Sequence, residues 1–301
     1  MANIIEINYN ELFEKEHLIR DHMEQDGFIK IIFNDEPIFE HVMNSTREFF
    51  KLSQEEKHTM MRNSVTTNSN QNMYYGYFPS NLNGKEGLDI PNPNMKMDEG
   101  KYILNERIVY AEGFSKDMSH TINQYSIFSH VLGLTVLRIL LGDNVADDLC
   151  ANNTHLSVLR LNYYPPHSDS DDCVENSGGV KLSCDTHVDD SLLTLLYQDN
   201  TSGLQVENPH TGKWESVPPS SNSILINSGK LLKMVSNGKY NPINHRVLQN
   251  YEERISIPYF MCVRPDAHIN NTYPTYHEYM KNFEQKKEYS HINELLENYL
   301  M

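Results

Sequence analysis

His187 and Asp189 stand two residues apart at the head of a run, Thr186 to Asp199, that turns apolar through Leu192, Leu193, Leu195 and Leu196. In an extended strand, residues i and i+2 share a face, so this imidazole and carboxylate would project together. They are two of the three ligands of the 2-His-1-carboxylate triad that holds non-haem iron(II) with open coordination positions. With 14 His in 301 residues, chance alone gives His-x-Asp about once. A second copy does occur, His167-Ser168-Asp169. That copy follows Pro165-Pro166 and opens a polar acidic run, the composition of a solvated loop. Only His187 leads into a segment that a core would hold still.

A third ligand has to come from elsewhere in the chain. His245, in Asn244-His245-Arg246-Val247, lies on a probable strand far downstream, and a jelly roll brings such distant strands together across its mouth. Arg254-x-Ser256 follows on another apolar strand. The period-2 rule puts its guanidinium and hydroxyl on one face and Ile255 and Ile257 on the other. A guanidinium fork beside a hydroxyl suits a carboxylate. Arg62-Asn63-Ser64 has the same spacing, but in a polar connection. The weight rests on the ordered series His-x-Asp, His, Arg-x-Ser, all in strand context.

The elements that must position these residues form a strand-rich second half. Strands are expected at Leu156–Tyr164, Val180–Ser183, Asp185–Tyr197, Gly203–Glu207, Ser223–Asn227, Asn244–Gln249 and Arg254–Val263, with turn-forming Gly and Asn between many of them. Short strands at this spacing point to a sandwich or jelly roll. On a continuous Asp185–Tyr197 strand, the nearby Cys184 would face away from His187. The first half reads as helical scaffold. Helices are expected over Tyr9–Gln25 and Glu36–Lys51, with a strand at Phe28–Phe33 between them and a capping box at Ser53/Glu56. The longest helix is Ser115–Leu141, stopped by Gly142. Asn63 to Asn72 reads as a polar connection, Asn72–Phe78 as an aromatic cluster at a core edge or pocket wall, and the stretch after it, to Gly100, as largely irregular. Helices at Tyr276–Lys286 and Ile292–Leu300 close the chain. The expected organisation is a single catalytic domain over 1–301: a mostly helical half (1–150), a jelly-roll core (151–270) and C-terminal helices (271–301). The fold class is α+β with a mainly β core.

Composition limits the function classes. A formal charge of −16 argues against nucleic acid, whose phosphates need a basic surface. Four Cys without paired spacing fit a reduced compartment. The N-terminus lacks the basic start and apolar core of a signal peptide, and no apolar run approaches the ~20 residues of a membrane span. A cytoplasmic enzyme acting on a small molecule, as a monomer or weak homo-oligomer, is the expectation.

The series His187-x-Asp189, His245-Arg246-Val247 and Arg254-x-Ser256 resembles the iron(II)/2-oxoglutarate-dependent dioxygenases of the isopenicillin N synthase-like group, which includes plant gibberellin and flavonoid oxidases. The likeness extends to Asn162-Tyr163-Tyr164-Pro165, Leu192-Thr194-Leu195-Leu196-Gln198-Asp199, Gly203-Leu204-Gln205, Trp214, Ile226-Asn227-Ser228-Gly229, Ser236-Asn237-Gly238 and the early Gly27-Phe28. It implies a double-stranded β-helix with flanking helices. It also implies iron(II) on His187, Asp189 and His245, with dioxygen as oxidant. The far carboxylate of 2-oxoglutarate would sit on Arg254 and Ser256, assisted by Asn162 and Tyr164. The expected reaction oxidises a C–H bond of a small metabolite, carboxylated or amino-acid-derived, by hydroxylation, desaturation or cyclisation, with release of succinate and CO2. Tyr75, Tyr77 and Phe260 are candidate substrate contacts, and Arg107 a candidate partner for an acidic substrate. Three features depart from the family pattern: Lys230 after Ser228-Gly229, Val188 and Asp190 flanking the ligand Asp189, and the long acidic insert His167 to Gly179. Two alternatives stay open. One is an oxidase or cyclase of the same fold that uses no 2-oxoglutarate and binds a substrate carboxylate at Arg254/Ser256. The other is a zinc-binding module, which would ordinarily need four protein ligands.

Overall fold

The computed structural model describes residues 2, 4–60, 63–66, 72–79, 85–92, 115–150, 155–167 and 179–285. Arg107, most of the acidic insert and the expected helix at Ile292–Leu300 lie outside the described residues. Two sheets face each other. The larger has nine strands in the order β1-β2-β11-β8-β13-β6-β5-β4-β3, and the smaller four in the order β10-β9-β12-β7. Their ranges are β1 Glu6–Asn8, β2 Phe28–Ile32, β3 Asn63–Thr66, β4 Asn72–Phe78, β5 Glu86–Pro91, β6 Val158–Tyr164 and β7 Leu182–His187. The remainder are β8 Leu193–Gln198, β9 Leu204–Glu207, β10 Trp214–Ser216, β11 Ser223–Ser228, β12 His245–Leu248 and β13 Arg254–Met261. This is the expected jelly roll, with helices on its outer side.

The period-2 pattern explains why the large sheet has two different faces. On β13, Ile255, Ile257, Tyr259 and Met261 point outward into a core shared with helices, while Arg254, Ser256, Pro258 and Phe260 line the space between the sheets. β8 divides in the same way, with Leu193, Leu195 and Tyr197 outward and Thr194 and Leu196 inward. The outer core is closed by α1 (Glu16–Gln25), α2 (Pro37–Lys51) and α4 (Lys116–Leu141), with α3 (Gln54–His58), α5 (Asp143–Cys150), α6 (Lys230–Val235) and α7 (Tyr276–Gln285) around the edges. α4 begins at Ser115, whose side chain accepts from the Met118 N–H, and ends at Gly142 with φ 85°. It is long and apolar enough to cross a membrane by length and composition. Its buried residues, among them Ile122, Tyr125, Leu132, Val136 and Leu137, belong to the outer core. The capping box at Ser53/Glu56 is formed as expected.

The inner core is smaller. Phe28, Tyr164 and Leu225 of the large sheet meet Leu204, Val206 and Val247 of the small one. Apolar contact thus joins the two sheets, and several of the same residues line the cavity between them beside its polar side chains.

The first half is less purely helical than its sequence reads. β1 and β2 extend one side of the large sheet, and β3, β4 and β5 the other. The stretch expected to be irregular contains β5, which pairs with β6 from Glu86↔Tyr163 to Pro91↔Val158. The expected polar connection contributes β3, paired with β4. Neither strand shows its partner in local composition. Helix Tyr9–Gln25 is also shorter than expected, because a 3-10 turn at Tyr9–Glu11, capped by Asn8, precedes α1.

Candidate metal centre and carboxylate pocket

The expected strand Asp185–Tyr197 is two strands. β7 ends at His187, residues 188–192 turn, and β8 begins at Leu193. His187 and Asp189 therefore converge because a strand ends between them, rather than by alternation along one. The turn is held by the start of α6: the Lys230 N–H donates to the Asp189 carbonyl (2.8 Å) and the Gly229 N–H to that of Leu192 (3.0 Å). Gly229 is needed for closeness, since a Cβ there would lie 2.0 Å from the Ser191 carbonyl oxygen. Lys230 and Asp190, two of the departures from the family pattern, form an ion pair at 2.9 Å.

His245 pairs with His187 across β12 and β7. His245 Nε2 lies 3.6 Å and His187 Nε2 3.7 Å from Asp189 Oδ1, and the ligand atoms of all three residues fall within 4.8 Å of one another. The surroundings assign each atom its job. His187 Nδ1 meets the Asp185 carbonyl at 2.7 Å and His245 Nδ1 the Ile243 carbonyl at 3.2 Å. Each Nδ1–H donates to a carbonyl, which leaves Nε2 as a lone pair for a metal. Asp189 Oδ2 accepts from Thr194 Oγ1 (2.6 Å) and Asn227 Nδ2 (2.9 Å), so Oδ1 remains as the third donor. Burial would raise the Asp189 carboxyl, but His245, Thr194, Asn227 and His187 together hold it below its ordinary value. Burial likewise lowers His245, toward the neutral form that binds metal. The donor set, two imidazoles and a carboxylate, fits a divalent iron with open positions. His187 is 41% exposed at its side chain against 5% for Asp189, so the centre opens on the His187 side.

Arg254 lies deeper in the same cavity and is 1% exposed. Its Nη2 donates to Gln198 Oε1 at 2.7 Å, while Nε and Nη1, both buried, have no partner among the described residues. Buried donors of a charged group left without acceptors are costly, even with the Asp199 carboxylate close enough to act on the charge. Such a cost is tolerable where a ligand supplies the missing acceptors. Ser256, hydrogen-bonded to Asn162 Nδ2 at 3.2 Å, and Tyr164, whose ring lies 4.9 Å from the guanidinium carbon, line the cavity beside it. Asn162 Oδ1 is also buried without a partner among the described residues. Orphaned donors on an arginine, next to a hydroxyl and an amide, form a receptor for a carboxylate.

Phe260 lines the cavity, as expected from its place on β13. Tyr77 does not. It is fully buried against Phe49, and its hydroxyl donates to Glu86, which also pairs with Lys57 at 2.9 Å. Its aromatic neighbourhood is core, so the expected substrate contact at Tyr77 is not formed. Tyr75 falls on β4, and its side chain is outside the described set. Cys184 also corrects expectation. Between His245↔His187 and Val247↔Cys184, β7 uses three residues where β12 uses two. That extra residue is a bulge, which turns Cys184 to the side of His187. Its Sγ lies 3.9 Å from His187 Nδ1.

Sequence reasoning assigned no role to Thr194, Asn227 or Gln198, and missed Arg160 and Lys85, which also line the cavity. The signal for Arg160 was available. The alternation that paired Arg254 with Ser256 also puts Arg160, Asn162 and Tyr164 on one face of β6. For Lys85, at the edge of β5, no comparable pattern existed.

Comparison with known proteins agrees with this geometry. Residues 155–263 match the family model described as the 2OG-Fe(II) oxygenase superfamily. The chain is 30% identical over 256 residues to a feruloyl CoA ortho-hydroxylase of Ipomoea batatas, covering 83% of this chain and 66% of the relative. It is 28% identical over 257 residues to gibberellin 2-beta-dioxygenase 1 of Arabidopsis thaliana, covering 82% and 74%. The chain thus spans just under two thirds of the hydroxylase. Among solved structures, a rice dioxygenase for auxin oxidation superposes with a TM-score of 0.72 at 19% identity, covering 95% of this chain and 96% of that one. The 2-oxoglutarate complex of dioxygenase for auxin oxidation 1 from Arabidopsis thaliana gives 0.68 at 20%, covering 90% and 99%. These two show the shared fold. Over residues 155–263, the part that bears the metal donors and Arg254, the chain is similar to the 2OG-Fe(II) oxygenase superfamily.

Proposed function

We propose that the protein is an iron(II)- and 2-oxoglutarate-dependent oxygenase that oxidises a C–H bond of a small metabolite. The observation that carries this reading is the pairing, in one cavity, of a three-donor centre with a buried arginine that lacks acceptors. His187 Nε2, Asp189 Oδ1 and His245 Nε2 would hold the iron. Arg254 would take the far carboxylate of 2-oxoglutarate, with Ser256, Asn162 and Tyr164 completing the pocket. Iron(II) bound there would activate dioxygen, the four-electron oxidant, which is spent in oxidising 2-oxoglutarate to succinate and CO2 and the substrate C–H bond by hydroxylation, desaturation or ring closure.

The chain's own contribution is orientation and exclusion of water. The two backbone carbonyls fix both imidazole tautomers, and Thr194 and Asn227 lock the carboxylate so that one oxygen faces the metal. The apolar contacts of Phe28, Leu204, Leu225 and Val247 wall the cavity from solvent. The exposed side of His187 is the approach for substrate. Relatives whose names specify feruloyl CoA and gibberellin support a small organic substrate, and we take it to be carboxylated or amino-acid-derived.

The test is spectroscopic. Under anaerobic conditions, iron(II) followed by 2-oxoglutarate should give the weak visible charge-transfer band of the chelate. Arg254→Leu should require much more 2-oxoglutarate to reach the same band, and His245→Ala should abolish it. Bound iron without a band in the wild type would refute the 2-oxoglutarate assignment and favour an oxidase that binds a substrate carboxylate at Arg254. A protein that takes up zinc but no iron would refute the oxygenase reading itself.

A further inference from the structure

Arg254 is not the only cation in the cavity. Arg160, on the same face of β6 as Asn162 and Tyr164, reaches it from four residues beyond Tyr164, roughly 13 Å along the strand. Its guanidinium is fixed on three sides. Nε and Nη2 both donate to Asp89, the latter at 2.9 Å, and the rings of Phe78 and Phe260 each lie 5.2 Å from its central carbon. Nη1 donates to no described residue, and the side chain keeps 26% of its exposure. Gly87 makes the clamp possible, because a Cβ there would lie 2.3 Å from Cζ of the Phe78 ring.

Lys85 enters the cavity at the edge of β5. Its ammonium is 3.8 Å from Cys184 Sγ and 6.0 Å from the Tyr164 ring centre, and no carboxylate pairs with it among the described residues. Cys184 in turn touches His187. The ammonium therefore stands one thiol away from the Nδ1 edge of His187, one of the three metal donors. Asp89 balances Arg160, so Lys85 leaves the cavity wall with a positive charge in a protein whose net charge is −16.

Two cations that present unused donors to a cavity bounded by Phe260, Pro258 and Leu196 make a site for an anion with an apolar body. We propose that Lys85 and the free edge of Arg160 bind the carboxylate of the substrate itself, separately from the 2-oxoglutarate carboxylate on Arg254. This rests on the oxygenase reading above and names its substrate class: a small organic acid, anchored by its carboxylate while a C–H bond elsewhere in the molecule faces the metal. Arg160 acts as a preorganised fork because Asp89 and two rings hold it. Lys85 supplies the unbalanced charge.

The experiment is calorimetric binding to the anaerobic enzyme loaded with iron(II) and 2-oxoglutarate. The probes are benzoate, phenylacetate and 3-phenylpropionate, each beside its primary amide. At least one acid should bind about tenfold or more tighter than its amide, the scale of a charge-assisted hydrogen bond. Lys85→Gln should erase that preference while the affinity for 2-oxoglutarate stays unchanged. Arg160→Lys, which keeps a charge beside Asp89 but loses the fork, should also weaken the acid and spare the amide. Equal binding of acid and amide, no acid bound at millimolar concentration, or a Lys85→Gln defect in 2-oxoglutarate binding instead would each overturn the proposal. If the wild type binds no 2-oxoglutarate, the cosubstrate reading fails. The acid-over-amide preference is then measured on the iron-loaded enzyme and still decides this one.

Discussion

Arg254 carries a cost that only a ligand removes. Its guanidinium is buried with two donors unanswered by any described residue, an arrangement that normally destabilises a fold. Replacing it with an apolar side chain of similar length should therefore not weaken the ligand-free protein. Arg254→Met is expected to melt at or above the wild-type temperature without ligand, and to lose most of the rise that 2-oxoglutarate gives the iron-loaded wild type. A scan of both proteins with and without 2-oxoglutarate checks this, and a clear drop in the ligand-free variant would contradict it. At this scale the sequence was most legible. Types and spacing alone brought forward the three metal donors and Arg254 with Ser256, and the structure gathers all of them in one cavity. Alternation did not reach the partners that tune them. Thr194 and Asn227 are ordinary strand residues until the fold points both at Asp189 Oδ2. Tyr77 failed for the opposite reason: an aromatic cluster looks the same in a core and in a pocket wall.

Elements set the precision of the site. The turn that carries Asp189 is held against the N-terminus of α6, with Gly229 in direct contact with the backbone of Ser191. Gly229→Ala has to move one of the two. It should cost about 2 kcal/mol or more of stability, as overpacking against rigid backbone does. It should also weaken iron binding more than an equally destabilising substitution in the outer core, and parallel chemical melts and metal titrations separate the two effects. A second element-scale prediction concerns α4 against the large sheet. His130 of α4 stacks on His155, just before β6, with centroids 3.9 Å apart. Burial pushes His130 down to about 4; burial, and then the charge of His130, push His155 down to about 3. In the unfolded chain both titrate near 6.5. The stability that comes from keeping them neutral is complete above that pH and is lost as pH falls toward the folded values. The slope is at most about 1.4 kcal/mol per pH unit for each ring. His130→Gln should flatten the acid limb of stability between about pH 6 and 4 while leaving stability at pH 8 within the range of an ordinary substitution. An unchanged acid slope would show that these rings do not govern it. The bulge in β7 belongs to this scale too, and it was illegible because an extra residue in a strand shows only when the partner strand is known.

For the whole molecule, strand character was readable and strand partnership was not. Leu156–Tyr164 and Arg254–Val263 read as strands within two residues of their observed ends, yet nothing local told that β5 or β1 would join them. The order of the large sheet has a consequence in time. β13 lies between β8 and β6, and β11 between β2 and β8, so the late strands join pieces made early. Until residue 261 has left the ribosome, β6 with β5, β4 and β3 has no sheet contact with β8, and β1 with β2 waits for β11. Contacts this distant in sequence make folding slow. The strand that joins the two parts of the sheet also bears Arg254 and Ser256, so the carboxylate pocket is complete only once β13 has paired with β8 and β6. Chains ending before Arg254 should leave exposed strand edges and appear as aggregates or as clients of chaperones. In refolding of the full chain, the fluorescence of the single tryptophan, Trp214, which packs under Arg246 at 4.1 Å, reports on the small sheet. Recovery of 2-oxoglutarate binding should lag behind that signal, and simultaneous recovery would mean that the two sheets form as one unit.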